Sequence, residues 1–403
     1  MERTAGIDLA SEEHRLVVVD GEGRRLEERR YAHSEEGLAA LVRRLVELEV
    51  ARVAIERPNG LVVDRLLDAG IVVVAVHPNQ LAAARDRYRS GGGKSDGFDA
   101  YVLAELARTD MHRLSVLEPD TDKTRALRAL TRAREDLVEQ RVCLANQLRA
   151  QLEGFWPGAA RIFSEVDSPI CLCFLERYPS PQDARSLGEK RLTAFLARHG
   201  YCGRKSATEL LGRLRSAPEG RVGELESEAR RAVVLGLVAA LKPLLEQIKL
   251  LTSEIRGLLA EHPDGEIFRS LFRDPKSVVT AAELLAEIGD RRERHPARDS
   301  LEAIAGQAPV AVDSGKKKVA SFRWACNKTL RSAVGVLADS SRKHNPWART
   351  TYQDATARGK DHPHALRILG RAWLRVIWRM WQDRTPYDPV RHGSFNRLST
   401  TGG

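Results

Sequence analysis

Through the first hundred residues, apolar positions fall into short strand-length blocks separated by segments of helical spacing. TAGIDLA is a brief apolar run. HRLVVVDGEGRRLEERRYA reads as two strands joined at Asp20-Gly21-Glu22-Gly23, a hairpin composition. SEEGLAALVRRLVELE sets Leu38, Leu41, Leu45 and Leu48 three or four residues apart behind Ser34, a good N-cap, and predicts a helix. ARVAIERP is a fourth strand, ended by Pro58. LVVDRLLDAG is a short helix closed by Gly70, and IVVVAVHP is a fifth strand, apolar enough to be covered on both faces. Another helix begins near Gly97.

The order β-β-β-α-β-α-β-α is that of a ribonuclease-H-like (RuvC-like) domain, a mixed sheet with helices on both sides. It is expected over residues 1–112. The pattern then becomes long and helical. Leu127, Leu130, Leu137, Leu144, Leu148 and Leu152 mark one face. Farther on, Leu237, Leu241, Leu244, Ile248, Leu251, Ile255 and Leu258 alternate by four and three, a coiled-coil seam. Pro243 lies in that seam and is expected to kink the helix or mark its start. Two such helices can pair within one chain or between chains, so residues 113–265 read as a helical coiled-coil or dimerisation region. Residues 154–220 show no readable period. Residues 266–390 form a mostly helical domain, with TAAELLAEIGD a helix ending near Gly289 and a loop around Ser314. The tail after Pro386, residues 391–403 above all, has the composition of a disordered segment.

Charge sharpens this division. The chain carries a formal +10, yet Ser314 to Arg384 alone carries +12 and the remainder −2. Five of the six tryptophans (Trp324, Trp347, Trp373, Trp378, Trp381) lie in the same segment. A basic, aromatic-bearing region suits a polyanion such as nucleic acid, although a soluble helical domain with solvated arginines has the same composition. The tryptophans at helical spacing suit a core better than a base-stacking surface. Five irregularly spaced cysteines make no zinc motif and fit a reducing compartment. No apolar run is long enough to span a membrane, and MERTAGIDLASEEH lacks a secretory h-region. A cytoplasmic protein with no membrane partner is expected.

SGGGKSDGFDAYVLAEL carries the candidate chemistry. As a P-loop it fails, because the first glycine of the motif would fall on Tyr88 and the preceding strand ends near Val76. Ser95 or Asp96 can cap the following helix, and Asp96 and Asp99, three apart, can share one face. Two like charges there favour a cation between them, while the helix dipole offers a blander relief. Asp8 sits inside the first strand and Glu56 ends the fourth. In a ribonuclease-H-like sheet those strands are adjacent and parallel, so both acids emerge side by side. Four carboxylates at one place suit Mg²⁺ or Mn²⁺, and two such ions can hold the attacking and leaving oxygens of a phosphodiester. In APVAVDSGKKK, Ser314 reads either as a turn residue or as a nucleophile flanked by phosphate-neutralising lysines.

With these residues in place, the chain resembles the DEDD insertion-sequence transposases of the IS110 type, whose relatives include the pilin-gene DNA invertase. GIDLA, AIERPNG and KSDGFDAYVLAEL match the acidic motifs. TAAELLAEIGD, AIAGQAPVAVDSGKK and NKTLRSAVGVLADSSRKHNPW follow the C-terminal domain in order. Two places depart from the pattern. The glycine-rich turn before the TAA helix reads RDPKSVVTAA, and WACNKTLR keeps Asn327 but not the family's glycine. The resemblance implies a transposase that moves an insertion element by cutting and rejoining double-stranded DNA. It implies Mg²⁺ on Asp8, Glu56, Asp96 and Asp99, and a 5′-phosphoserine intermediate on Ser314. It further implies guidance by a non-coding bridge RNA, a tetramer built from dimers with composite active sites, and a nucleoid-associated location. Lys94, Lys316, Lys317, Lys318, Arg323, Lys328, Arg331, Arg342 and Lys343 are the candidate nucleic-acid contacts. Two other readings remain: a hydrolytic RuvC-like junction resolvase using the acids alone, and a catalytically inactive nucleic-acid-binding relative.

Overall fold

The computed structural model describes residues 2–56, 60–88, 95–218, 220, 222–314 and 317–390. The chain divides into two units, residues 1–120 and 121–403.

The first unit is built on strands β1 (Arg3–Asp8), β2 (Glu13–Val19), β3 (Arg25–Ala32), β4 (Val50–Ile55), β5 (Val72–Ala75) and β6 (Ser115–Val116), with helices α1 (Glu35–Glu47), α2 (Leu61–Asp68), α3 (Pro78–Tyr88) and α4 (Asp96–Thr109). The sheet order is β3-β2-β1-β4-β5-β6. β1, β4 and β5 run parallel, while β2, β3 and β6 pair antiparallel with their neighbours. This is the expected ribonuclease-H-like arrangement, with the short edge strand β6 added. Helix α3 was not separable in the sequence, because only Leu81 and Ala84 of its eleven residues are buried.

Strand alternation sorts the side chains onto two faces. Ala5, Ile7, Val53, Ile55 and Val73 pack with Leu38, Leu41, Leu45 and Leu66 of α1 and α2. Ala54, Val74 and Val76 pack on the other side with Leu81 of α3 and Val102, Leu103 and Leu106 of α4. Gly6 brings α4 onto the sheet. A Cβ there would lie 2.0 Å from the Ala100 carbonyl oxygen, so only glycine allows this approach. Two residues earlier, the Thr4 hydroxyl donates to the Ala104 carbonyl at 3.1 Å. Two residues later, on the same face, comes Asp8.

The second unit is helical: α5 (Asp122–Phe155), α6 (Pro157–Ile162), α7 (Pro169–Arg177), α8 (Glu189–Arg198), α9 (Ala207–Ser216), α10 (Glu224–Glu261), α11 (Gly265–Arg269), α12 (Val278–Ile288), α13 (Arg298–Ile304), α14 (Lys328–His344), α15 (Pro346–Ala357) and α16 (His362–Asp383), with one hairpin, β7 (Val310–Ser314) and β8 (Lys317–Ser321). α5 and α10 pair antiparallel within the chain. Lys123 Nζ donates to the Glu261 carbonyl, Arg134 Nε to the Thr252 hydroxyl, and Gly154 lies against Arg230. Pro243 sits inside a continuous α10 rather than at its start. The buried seam of α10 is Val234, Val238, Leu241, Ile248, Ile255 and Leu259: Leu241, Ile248 and Ile255 are those of the sequence spacing, Val238 and Leu259 are each one residue on from it, and Val234 precedes it.

Helices α6–α9 close over one end of this pair. Phe174 is ringed there by Trp156, Phe163, Tyr178 and Phe195, with centroids 5.3–5.9 Å away. At the other end, Leu127, Ile255 and Leu259 join a core with Phe268, Trp373 and Trp381. Trp373 and Trp381 of α16 are therefore core residues, with Trp378 partly buried against them, and the Trp373 indole donates to the Ser341 hydroxyl at 2.8 Å. The loop expected around Ser314 is instead the β7–β8 hairpin. Tyr387, beyond Pro386, is docked by its N–H on the Ser270 hydroxyl and by Asn345 on its phenol oxygen. Residues 391–403 lie outside the described residues.

Candidate active site

The carboxyl ends of β1 and β4 build one side of the site. Ile7 and Ile55 are register partners in adjacent parallel strands, so Asp8 and Glu56, the next residues of each, leave the sheet side by side. Helix α4 brings the other side. Its N-cap is Ser95, whose hydroxyl accepts from the Phe98 N–H at 3.3 Å, and Asp96 and Asp99 occupy its first turn, where the helix dipole favours negative charge. α4 runs back along β1, with Ala104 over Thr4 and Ala100 at Gly6. One further turn brings its acidic end toward the level of Asp8.

The two aspartates of α4 part company. Asp99 is buried at 2% exposure and is gripped by Arg85 of α3, whose Nε and Nη2 donate to its two oxygens at 2.6 and 2.7 Å. The bonds to Asp99, opposed by burial and supported by the charges of Asp99, Glu56 and Asp8, hold the guanidinium's proton more firmly than usual. Asp99 binds this arginine directly, and the charges of Glu56 and Asp8 act on it through space. Asp96 is exposed and lines a separate cavity of about 720 Å³ with Arg15, Arg25, Arg30, Tyr88 and Tyr101.

The donor set suits a hard divalent cation in kind, since it offers only carboxylate oxygens. Arg85 stands in as the positive charge that this constellation requires. Among the described residues no three His, Cys, Asp or Glu side chains are close enough to one another to form a ready ion cage.

Arg85 is the participant that the sequence did not reveal. Its signal was there: with Leu81, Ala84 and Tyr88 it follows the inward spacing of α3, and a charge on a packed face calls for a buried partner.

In the second unit, Ser314 is the last residue of β7, in register with Lys317 across the hairpin. Lys94 and Lys316 lie outside the described residues, and Lys318 pairs with Asp313 in register. Several candidate contacts have internal partners. Arg342 and Lys343 both reach Asp339, at 2.8 and 3.1 Å. Arg331 donates to the Arg323 carbonyl and stacks on Phe322. Arg323 is held to the Ala308 carbonyl at 3.4 Å, and Lys328 is exposed at the start of α14. Two arginines of the basic segment, Arg371 and Arg375, are committed to Glu302, which is fully buried.

Two family profiles match the chain. One described as "Transposase", of the DEDD IS110 type, covers residues 5–157, and one described as "Transposase IS116/IS110/IS902 family" covers residues 277–353. The "Mini-circle putative transposase for IS117" of Streptomyces coelicolor is 31% identical over 398 residues, spanning 96% of this chain and 95% of that protein. The "Putative transposase y4uE" of Sinorhizobium fredii is 35% identical over 201 residues, spanning 48% of this chain and 56% of that protein. A solved structure of T. thermophilus RuvC in complex with a Holliday junction substrate aligns with 19% identity and a TM-score of 0.24, covering 29% of this chain and 100% of that one. No helix among the described residues is long and apolar enough to cross a membrane.

Proposed function

The chain belongs to the IS110-type DEDD transposases, and from that membership we propose that it is a site-specific DNA recombinase joining an acidic, divalent-ion-dependent site to a serine nucleophile. What supports the reading is the exit of Asp8 and Glu56 side by side at the carboxyl ends of adjacent parallel strands, with Asp99 held by an arginine whose guanidinium also feels both their charges. Asp8, Glu56, Asp96 and Asp99 are the residues that would hold Mg²⁺ or Mn²⁺. A bound ion would neutralise charge developing on a phosphodiester and ease ionisation of the attacking hydroxyl.

The remaining chemistry belongs to Ser314. Its hydroxyl oxygen attacks phosphorus as it loses its proton. The bond to the 3′ oxygen breaks, that oxygen takes up a proton, and a 5′-phosphoserine ester remains. A 3′ hydroxyl can later attack the same phosphorus and release the serine, so strands rejoin without ATP. The cavity beside Asp96 carries less free charge than its three arginines suggest, because Arg15 and Arg25 pair with Glu28, Arg30 pairs with Glu13, and Arg25 lies over the Tyr101 ring. On the same family ground, a bridge RNA directs the choice of DNA and the working form is a tetramer built from dimers. The basic segment from Ser314 to Arg384 would serve these polyanions.

The test is to incubate purified protein with element-end DNA, Mg²⁺ and the candidate RNA, and to look for a protein–DNA adduct that survives SDS. The expected adduct disappears in Ser314→Ala and in Asp8→Asn. Cleavage that persists in Ser314→Ala and vanishes in Asp8→Asn would instead identify a hydrolytic nuclease.

A further inference from the structure

Where β8 leaves the Ser314 hairpin, the chain runs through Phe322, Arg323 and Trp324. Trp324 is 80% exposed, whereas Trp373 and Trp381 are fully buried. Single exposed apolar residues are common and need no explanation. This one stands on a built surface. The Phe322 ring is held by two guanidiniums, Arg331 at 4.4 Å and Arg367 at 5.4 Å from its centroid. Trp324 meets that fixed ring edge-on at 4.9 Å. Both rings are thus positioned, and one stays open to water.

Phe322 also lines a cavity of about 260 Å³, with Arg323 and Gln307 and with His364, Arg367 and Arg371 of α16. Gln307 is 8% exposed, and its side-chain carbonyl has no hydrogen-bond partner among the described residues. An unpaired buried acceptor is costly, which points to a donor arriving from outside. Arg371 is neutralised by Glu302. Arg323 and Arg367 meet no carboxylate among the described residues, so the cavity mouth keeps net positive charge.

An open aromatic face, unneutralised arginines and a buried acceptor are together what an unpaired nucleotide requires. Bases stack on aromatic rings whatever their identity, arginines take the adjoining phosphate, and a carbonyl can accept from a base N–H. We propose that Trp324 and Phe322 form a stacking platform for an unpaired base of the DNA strand handled by Ser314, with Arg323 and Arg367 on the adjoining phosphate and Gln307 on the base edge. Assigning the strand to DNA rests on the recombinase reading. The platform itself is measurable without cleavage, so the two fail separately.

The test uses the full chain in EDTA, titrated with an oligothymidylate of about ten nucleotides, with tryptophan fluorescence as readout. Stacking should quench part of the emission in the wild type, and that part should be missing in Trp324→Phe. Trp324→Ala should weaken binding about tenfold. Arg367→Gln should weaken it and flatten its salt dependence. Trp324 is exposed enough for its variants to fold, and circular dichroism checks this. Undiminished quenching in Trp324→Phe, or unchanged affinity in both Trp324→Ala and Arg367→Gln, overturns the platform. Tighter binding of an oligouridylate than of the oligothymidylate overturns its assignment to DNA.

Discussion

Arg85 and Asp99 are locked together at two points, with both donors of one edge of the guanidinium on both oxygens of a carboxylate that is almost fully buried. The arginine is the only partly covered member, so the pair is asymmetric: removing Arg85 strands a buried negative charge. Arg85→Ala should cost about 3 kcal/mol of stability in metal-free protein. If Asp8, Glu56 and Asp99 can take a divalent cation, Mn²⁺ should return much of that loss by mass action. Thermal unfolding with and without Mn²⁺ decides it. A rise on adding Mn²⁺ no greater in Arg85→Ala than in the wild type would falsify a cation site shared with Arg85.

The two aspartates of α4 should separate in their consequences. Asp96 is exposed, so Asp96→Asn should change stability by less than about 0.5 kcal/mol while abolishing adduct formation. Asp99→Asn leaves Arg85 without its anion and should lower both. Unfolding curves and the SDS adduct assay, run side by side, make the comparison. An active Asp96→Asn enzyme removes Asp96 from the site.

Gly6 should tolerate nothing larger. A methyl group there meets the backbone of α4 at Ala100 and Ala104, neither of which is a flexible side-chain end. Gly6→Ala should cost about 2 kcal/mol through overpacking. It should also displace the acidic end of α4. Chemical denaturation measures the first effect and Mn²⁺ affinity the second. Unchanged stability would mean that α4 does not rest on β1 as described.

Glu283, on the partly covered face of α12, is pushed up to about 7 by burial and by the charge of Glu135, against the opposing Arg134. Its unfolded counterpart titrates near 4.5. Between those values the unfolded chain has already lost the proton that the folded chain retains. Stability should therefore fall as pH rises from about 4.5 to about 7 and then level off, by a few kcal/mol in all. Glu283→Gln should remove this slope and be the more stable protein above pH 7. Neighbouring Glu287 behaves oppositely: burial would raise it, but hydrogen bonds from Arg132 and Asn327 hold it below the usual range. Parallel pH profiles in wild type and Glu283→Gln would count against this assignment.

The sheet was readable because its strands are short, apolar and bounded by turn residues, and Asp8 and Glu56 stood out because one lies inside an apolar run and the other ends one. The α10 seam was half readable for a definite reason. Leu237-Val238, Leu244-Leu245 and Leu258-Leu259 are adjacent apolar pairs, so spacing alone cannot choose which member turns inward. Packing chose Val238 and Leu259. Between Pro157 and Ser216 the chain folds into helices of six to ten residues, too short to display a period, and their order comes from aromatic contacts around Phe174. Arg85 stayed hidden because its partner is fourteen residues away on another helix.

The antiparallel pairing of α5 with α10 also fixes a length. At 1.5 Å per residue the 34 residues of α5 extend about 50 Å, with the aromatic cluster of α6–α9 at one end and the tryptophan core at the other. Such a pair is a spacer with a phase as well as a span. Deleting seven residues from each helix would draw the ends together by about 10 Å and nearly preserve their orientation, whereas deleting five would swing one end to a different bearing. Whatever the α6–α9 end engages is thus measured off from the tryptophan core in whole helical turns.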